Sequence, residues 1–150
     1  MSVDVGVRPF VAEDALSWDR FVRSHPQGTF FHQSGWREHV REAFGHRDQY
    51  LVARRGAEIA GVLPLFHVPT LSPSLLPPRT TRWNLVSTPY ASYGGPIGDG
   101  DARSALRQAA MDLGDDLGAA QMEFRYRDDP GPPGGDATTD LYAGFIRELP

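Results

Sequence analysis

The 150-residue sequence contains no cysteine and no lysine, so all fifteen of its basic residues are arginine. The first absence removes disulfides, thiolate nucleophiles and cysteine-ligated zinc. The second removes a P-loop lysine, a Schiff base and a lysine general base, because a guanidinium stays protonated and acts by pairing with oxyanions. Long apolar runs are missing as well. None approaches the roughly 18 to 20 residues that cross a bilayer. The opening "MSVDVGVRPF" has neither the basic nor the apolar region of a secretory signal, so the expected location is cytoplasmic, with no membrane span. A net charge of -4 supplies no general field for a phosphate backbone, and DNA is not an expected partner.

What is present reads as one domain. Hydrophobic residues make up 40% of the chain and run from end to end, enough for a single core over residues 1–150. Val3, Val5 and Val7 alternate with polar positions up to Pro9, the period of a half-buried strand. From Glu13 to Ser24 the residues Ala15, Trp18, Phe21 and Val22 recur at helical spacing, until His25 and Pro26 end the helix. Ser34 is placed to cap a second helix, with Trp36, Val40, Ala43 and Phe44 on one face and Gly45 as its left-handed terminus. "QYLVARR" and "EIAGVLPLFHV", joined at Arg55 to Glu58, predict an antiparallel hairpin. The proline-rich residues 69–82 predict a surface loop, and Trp83 to Ser87 another strand. Leu106, Ala109, Ala110, Leu113 and Leu117 mark a helix starting near Asp101 and ending at Gly118. Met122, Phe124 and Tyr126 alternate as a strand, "DDPGPPGGD" is a loop, and a final strand is expected from about Thr139 to Leu149. The order β-α-α-β-β-β-α-β-β, with no internal repeat, predicts an α/β (α+β) domain with a mixed, mostly antiparallel sheet flanked by helices.

Few patterns carry chemistry outright. His25, His32, His39 and His46 recur every seven residues, but only His39 falls inside a helix, so the four share no face and no metal site is expected. No serine occupies a G-x-S-x-G turn. The pairs Asp115-Asp116 and Asp128-Asp129 read as solvated surface, since adjacent helical residues point about 100° apart. The densest loop chemistry is "STPYASYGGPIGDGDARSAL", residues 87–106, between a strand and a helix N-terminus. Unpaired amides there favour an anion, yet Asp99 and Asp101 can cap the helix themselves. The stretch is therefore either a capped tight turn or a substrate-lining loop.

"FFHQSGW" before a helix, "FGHRDQYLVARRGAEIAGVLPLFHV" across a hairpin, "LVSTPYASYGGPIGD", and "QMEFRYR" followed by "DLYAGFIREL" together resemble, in that order, the N-terminal half of a FemAB-family protein. The resemblance is nearest to the branch encoded with exosortase/PEP-CTERM surface-protein systems. It implies a GNAT-like acyltransferase fold, usually present as two halves in tandem, and amide-forming acyl transfer to an amine in cell-envelope, peptidoglycan or surface-polymer biosynthesis. In the aminoacyltransferase members the donor is an aminoacyl-tRNA and the acceptor a peptidoglycan precursor, so a UDP-linked or peptide precursor is the implied partner.

Matched position by position, the family motifs single out Gln33 and Trp36, with Arg37 and Arg41 behind them, and then Tyr90, Tyr93, Gly94, Gly95, Pro96 and Asp99. Trp36 is either a substrate contact or core packing beside Val40 and Phe44. Arg37 and Arg41 either face phosphates or form a salt-bridged surface with Glu38 and Glu42. Tyr90, Tyr93 or a histidine is the implied proton shuttle. The Q/R-x-x-G-x-G/A run that binds the acetyl-CoA pyrophosphate is absent, which argues against that cofactor. The chain stops at "RELP", about where a second half would continue. A lone half, a non-catalytic binding module, and a homodimer that rebuilds the two-half enzyme are the three readings this leaves.

Overall fold

The computed structural model describes residues 4–71 and 81–127. The loop expected over 128–136 and the strand expected near 139–149 lie outside the described residues. Strand β1 (Val5–Pro9) leads through a 3-10 turn into helix α1 (Ala15–Ser24), and a second 3-10 turn at Phe30–His32 precedes helix α2 (Ser34–Phe44). Strands β2 (Arg47–Asp48), β3 (Leu51–Arg55), β4 (Glu58–Leu63), β5 (Phe66–Leu71), β6 (Thr81–Val86) and β7 (Ile97–Gly98) follow. Helix α3 (Gly100–Leu117) and strand β8 (Gln121–Glu123) complete the described part.

The strands form two four-stranded ladders, ordered β1-β3-β4-β7 and β2-β5-β6-β8. Every pairing is antiparallel except β6 with β8. The ladders lie end to end along one continuous path. Strand β4 runs into β5 through Pro64 and Leu65, while the partners β6 and β7 return antiparallel beside them, with Phe66 opposite Val86 and Val62 opposite Ile97. Residues 63–65 on one side therefore stand against residues 87–96 on the other. The stretch expected to be one strand from Glu58 to Val68 is broken into β4 and β5 at this level, where Pro64 has no N–H to offer a ladder.

Both faces of the first ladder are covered, which explains why Leu51, Val52 and Ala53 are all buried in succession. Val52 and Val62 point toward Trp18 and Val22 of α1 and Val40 of α2. Leu51, Ala53 and Leu63 point the other way, onto Ala102, Leu106 and Ala110 of α3. Trp18 is fully buried, stacks on Tyr50 at 5.2 Å, and donates its indole N–H to the carbonyl of His32 at 2.6 Å. Asp14, also buried, ties the corner where β1, the hairpin and α1 meet. It accepts from Arg8 at 2.7 Å through both oxygens, from Arg54 at 3.1 Å, and from the backbone of Val11 at 2.9 Å.

Three local expectations change. Ser34 is the first residue of α2, not its cap: its N–H and hydroxyl both donate to the Asp19 carboxylate, at 2.7 and 2.8 Å, so α1 supplies the acceptor from fifteen residues away. Residues 69–71 and 81–82 belong to the β5–β6 ladder and not to a surface loop, because the cross-strand pairs continue to Leu71 opposite Thr81. The regular strand around Met122 ends at Glu123, beyond which Arg125 turns its carbonyl to the loop at residues 94–95.

Candidate functional site

The excursion at residues 87–96 leaves the sheet where the ladder breaks, and bulged strands at such positions re-aim side chains. Its backbone is anchored from three sides. The Ser87 hydroxyl accepts from the Arg125 amide at 2.8 Å, and the amides of Gly94 and Gly95 both donate to the Arg125 carbonyl, at 2.9 and 2.8 Å. The Arg125 guanidinium in turn donates to the Ala91 carbonyl at 2.7 Å. Thr88 and Tyr90 are held at φ +48° and +66°, sparsely populated for residues with side chains and costing about 1–3 kcal/mol each. A β-carbon on Gly94 would sit 1.7 Å from the Thr88 hydroxyl oxygen. Glycine is therefore required at that position for room.

The third anchor is His32. It is buried, its Nδ1 accepts from the Thr29 amide at 3.2 Å and lies 2.8 Å from the Thr29 hydroxyl, and its Nε2 lies 2.9 Å from the Gly95 carbonyl. An amide can only donate, so Nδ1 is the acceptor and Nε2 carries the proton that Gly95 receives. Burial, opposed by the Gly95 bond, holds the imidazole below the ordinary histidine pKa, and the ring is neutral. Replacing His32 with alanine would leave Gly95 and Thr29 unsatisfied and is expected to cost about 2 kcal/mol in urea unfolding. A depressed folded pKa makes this contribution complete above the unfolded value of about 6.5 and lost as the pH falls through the lower folded value. The variant should therefore show a shallower loss of stability between neutral and mildly acidic pH than the wild type.

Beneath the loop is a cleft lined by Gln27, His32, Tyr93 to Ile97, Arg103, Tyr126 and Arg127. Its cavity volume is about 20 Å³, room for about one water-sized group, and it is open to solvent. Burial, its largest effect, raises the Tyr126 pKa, while Arg107 and Arg103 pull it back. That phenol is a hydrogen-bond donor near neutral pH. Across Gly98 lies a second, more open cleft of about 420 Å³, lined by Phe21, His25, Arg55, Glu58 to Ala60, Gly98 and Asp99.

The ten residues singled out from sequence fall into three places. Tyr93, Gly94, Gly95 and Pro96 line the first cleft. Asp99 lies in the second, where it caps α3 through the Ala102 amide at 2.9 Å and accepts from Arg55 at 2.8 Å; hydrogen bonds from these two groups, Arg55 first, hold its carboxyl below the usual range. Gln33, Trp36, Arg37, Arg41 and Tyr90 lie around α2. Arg37 donates to Asp48 at 2.7 Å and to Glu38, with its guanidinium carbon 4.9 Å from the Phe10 ring centroid. Arg41 reaches the same two carboxylates, at 3.2 and 3.7 Å. The pairing partner is Asp48 and not Glu42, because β2 brings Asp48 alongside the helix. Trp36 meets Phe31 at 5.1 Å and His39 at 5.2 Å and packs against the core from its rim. Phe44 does not join it in the core: it is exposed and stacks on Tyr90 at 4.1 Å, while the Tyr90 hydroxyl lies 2.8 Å from His46 Nε2.

Among the described residues no group of three or more His, Asp or Glu is placed to hold a metal ion. Of the four histidines at seven-residue spacing, His32 is the one whose importance was not visible. The signal available was its place three residues after Thr29, just ahead of α2.

Neither a protein-family model nor a curated protein sequence matches this chain. Solved structures do. A ribosomal-protein-alanine N-acetyltransferase from Brucella melitensis biovar Abortus 2308 superposes with a TM-score of 0.61 at 15% identity, over 96% of this chain and 99% of that one. The fold is that of the GNAT acetyltransferases. A GNAT family acetyltransferase from Staphylococcus aureus subsp. aureus USA300_TCH1516 gives 0.52 at 11% identity, over 97% and 99% of the two chains. FemX gives 0.51 at 22% identity over 76% of this chain, which spans 25% of FemX. The mixed α/β class with helices on both faces of a mostly antiparallel sheet agrees with the expectation from sequence. Among the described residues no helix is long and apolar enough to cross a membrane.

Proposed function

We propose that this chain is an N-acyltransferase domain that forms an amide by acyl transfer to an amine, and that it corresponds to the N-terminal GNAT-like half of a FemAB-type enzyme of cell-envelope or surface-polymer biosynthesis. The observation that carries this reading is the cleft under residues 93–97, placed where the sheet of a GNAT fold breaks. The structural likeness to FemX supports the FemAB part. In this reading the amine attacks the acyl carbonyl directly, since the chain has no cysteine or lysine to form a covalent intermediate. The bond from the carbonyl carbon to the donor's oxygen or sulfur breaks, and the amine's proton ends on the departing alcohol or thiol. Both ring nitrogens of His32 are engaged, which leaves the phenols of Tyr93 and Tyr126 to donate hydrogen bonds to the tetrahedral oxyanion. Acetyl-CoA suits the site poorly: a pyrophosphate at the start of α3 would meet the Asp99 carboxylate that already caps it.

A second reading is favoured by the small volume of the cleft and by a loop whose glycine amides are already spent on Arg125. In it the domain binds a precursor without turning it over, and a second GNAT-like half or a second copy completes the site. One experiment separates the two. The chain is incubated with a UDP-linked muropeptide and either aminoacyl-tRNA or acetyl-CoA, with the product read by mass spectrometry and the heat of binding recorded. Acyl transfer is expected to add the donor's acyl mass to the precursor. Heat without added mass supports the binding module, and neither signal contradicts both readings.

A further inference from the structure

Among the described residues, five half-buried arginines share a carboxylate contact that Arg103, with a cleft in front of it, lacks. Arg8, Arg37, Arg54, Arg55 and Arg125 are half-buried, and each meets a carboxylate within 3.2 Å or less. Arg103, on the first turns of α3, is also half-buried, yet no ion pair or side-chain hydrogen bond is formed by it among the described residues. Withholding a partner from a partly desolvated guanidinium is costly unless something else supplies the negative charge. Arg103 faces the cleft under the glycine loop, and Arg127, exposed and likewise without a carboxylate among the described residues, lines it from the irregular segment that follows β8. Among the described residues, no aspartate or glutamate lines that cleft. The nearest acids on α3 are turned away: Asp99 is bonded to Arg55, and Asp101 is exposed on the Arg55 side. The field of Arg103 is felt by its neighbours: it adds to the effect of burial in lowering the pKa of His25, and it opposes the rise that burial gives to that of Tyr126.

We infer that this cleft binds a single oxyanion, a phosphate monoester or a carboxylate, between the guanidinium groups of Arg103 and Arg127. Tyr93 and Tyr126 contribute phenolic donors to the same group. With a cavity volume of only about 20 Å³ and an opening to solvent, the cleft can seat no more than the oxygens of one such head, and the rest of the molecule stays outside. This differs from an anion seated on the amides of the α3 N-terminus, which Asp99 occupies. It also moves the anion-binding role from Arg37 and Arg41, whose charges are taken up by Asp48 and Glu38, to two arginines that no motif singled out. Within the acyltransferase reading, the group would be an anionic handle of the acceptor or donor; that assignment rests on the proposed function, but the binding itself does not.

The test needs no turnover. Inorganic phosphate and, separately, acetate are titrated into the full chain, with backbone amide shifts of Tyr93, Gly94, Gly95 and Tyr126 followed by NMR at two salt concentrations. Saturable shifts at these amides, weakened by salt, are expected. Charge-assisted hydrogen bonds of this kind are worth about tenfold in affinity each, so Arg103→Gln and Arg127→Gln should each weaken binding by about that factor. Arg103→Lys should retain part of it. Arg20→Gln, at an exposed position on α1, serves as the control and should leave binding unchanged. Tighter phosphate binding identifies a phosphate handle, and tighter acetate binding a carboxylate. The inference is overturned if neither anion shifts these amides, or if both arginine variants, with wild-type far-ultraviolet circular dichroism, bind as well as the parent. Anion binding without acyl transfer would sink the catalytic reading and leave this one standing.

Discussion

Gly94→Ala is expected to lower stability by about 3 kcal/mol, the upper end for overpacking a rigid site, and to lower Tm by about 6–12 °C. The added methyl would lie 1.7, 2.3 and 2.5 Å from the Oγ1, Cγ2 and Cβ atoms of Thr88. Thr88 has nowhere to retreat: it is fully buried, sits at φ +48°, and spends its hydroxyl on the Ser87 carbonyl at 2.8 Å. Removing the obstructing atoms should reverse the effect. The double variant Gly94→Ala with Thr88→Gly is expected to regain most of the lost stability, because glycine tolerates the positive φ and carries none of the three clashing atoms. Calorimetry on the two single variants and the pair measures this as a coupling energy. Additive losses would mean that the loop can open away from Thr88, contrary to its anchoring on Arg125 and His32.

Asp14→Ala is expected to be the most damaging single change outside the loop, costing about 3–5 kcal/mol, because it leaves two guanidinium groups without their shared buried partner. The carboxylate is 4% exposed and joins β1 through Arg8 to the hairpin through Arg54. The Arg8 hydrogen bond, partly offset by desolvation, holds the Asp14 pKa below its ordinary range. A depressed folded pKa means that the unfolded chain binds the proton more readily. The stabilisation is therefore complete above the unfolded value of about 3.9 and is lost as the pH falls through the lower folded value. Urea unfolding between pH 3 and 7 should show the wild type losing this increment in acid while the variant, already lacking it, changes less. Parallel pH profiles for the two proteins would remove Asp14 from the account.

Much of the fold is legible in local pattern because short-range physics decides it. Helix α3 announces itself through Asp99 at one end, Gly118 in the left-handed region at φ +63°, and apolar residues at helical spacing between them. The hairpin is equally readable from Gly56 between two apolar runs, as is Gly45 at the end of α2. What escapes is whatever depends on a partner distant in sequence. Ser34 has the chemistry of a cap, but Asp19 claims its hydroxyl. Arg41 sits beside Glu42 in sequence, but β2 brings Asp48 to it. The continuous apolar run around Leu63 and Leu65 hides a sheet break, since residues buried on either side of a bend look alike.

The site divides along the same line. Tyr93, Gly94 and Gly95 stand out by composition and do line a cleft. His32 and Arg103 do not stand out, and it is their geometry that marks them: one reaches 63 residues along the chain to hold the Gly95 carbonyl, and the other faces the cleft without a carboxylate among the described residues. Tyr90 belongs to a different surface, stacked on Phe44 and bonded to His46. A motif match that groups Tyr90 with Tyr93 follows their closeness in sequence, whereas the strained turn between them sends the two rings to different neighbours.

The proposed substrate site is the cleft under residues 93–97. The most direct measurement is a backbone amide NMR map of the full chain titrated with a UDP-linked muropeptide. The account predicts saturable shifts centred on Tyr93, Gly94, Gly95, Arg103 and Tyr126, with the exposed face of α1 around Leu16 and Arg20 unmoved. Saturable binding whose shifts centre on α2 and the Arg37, Arg41 and Asp48 network, leaving the glycine loop untouched, would contradict it.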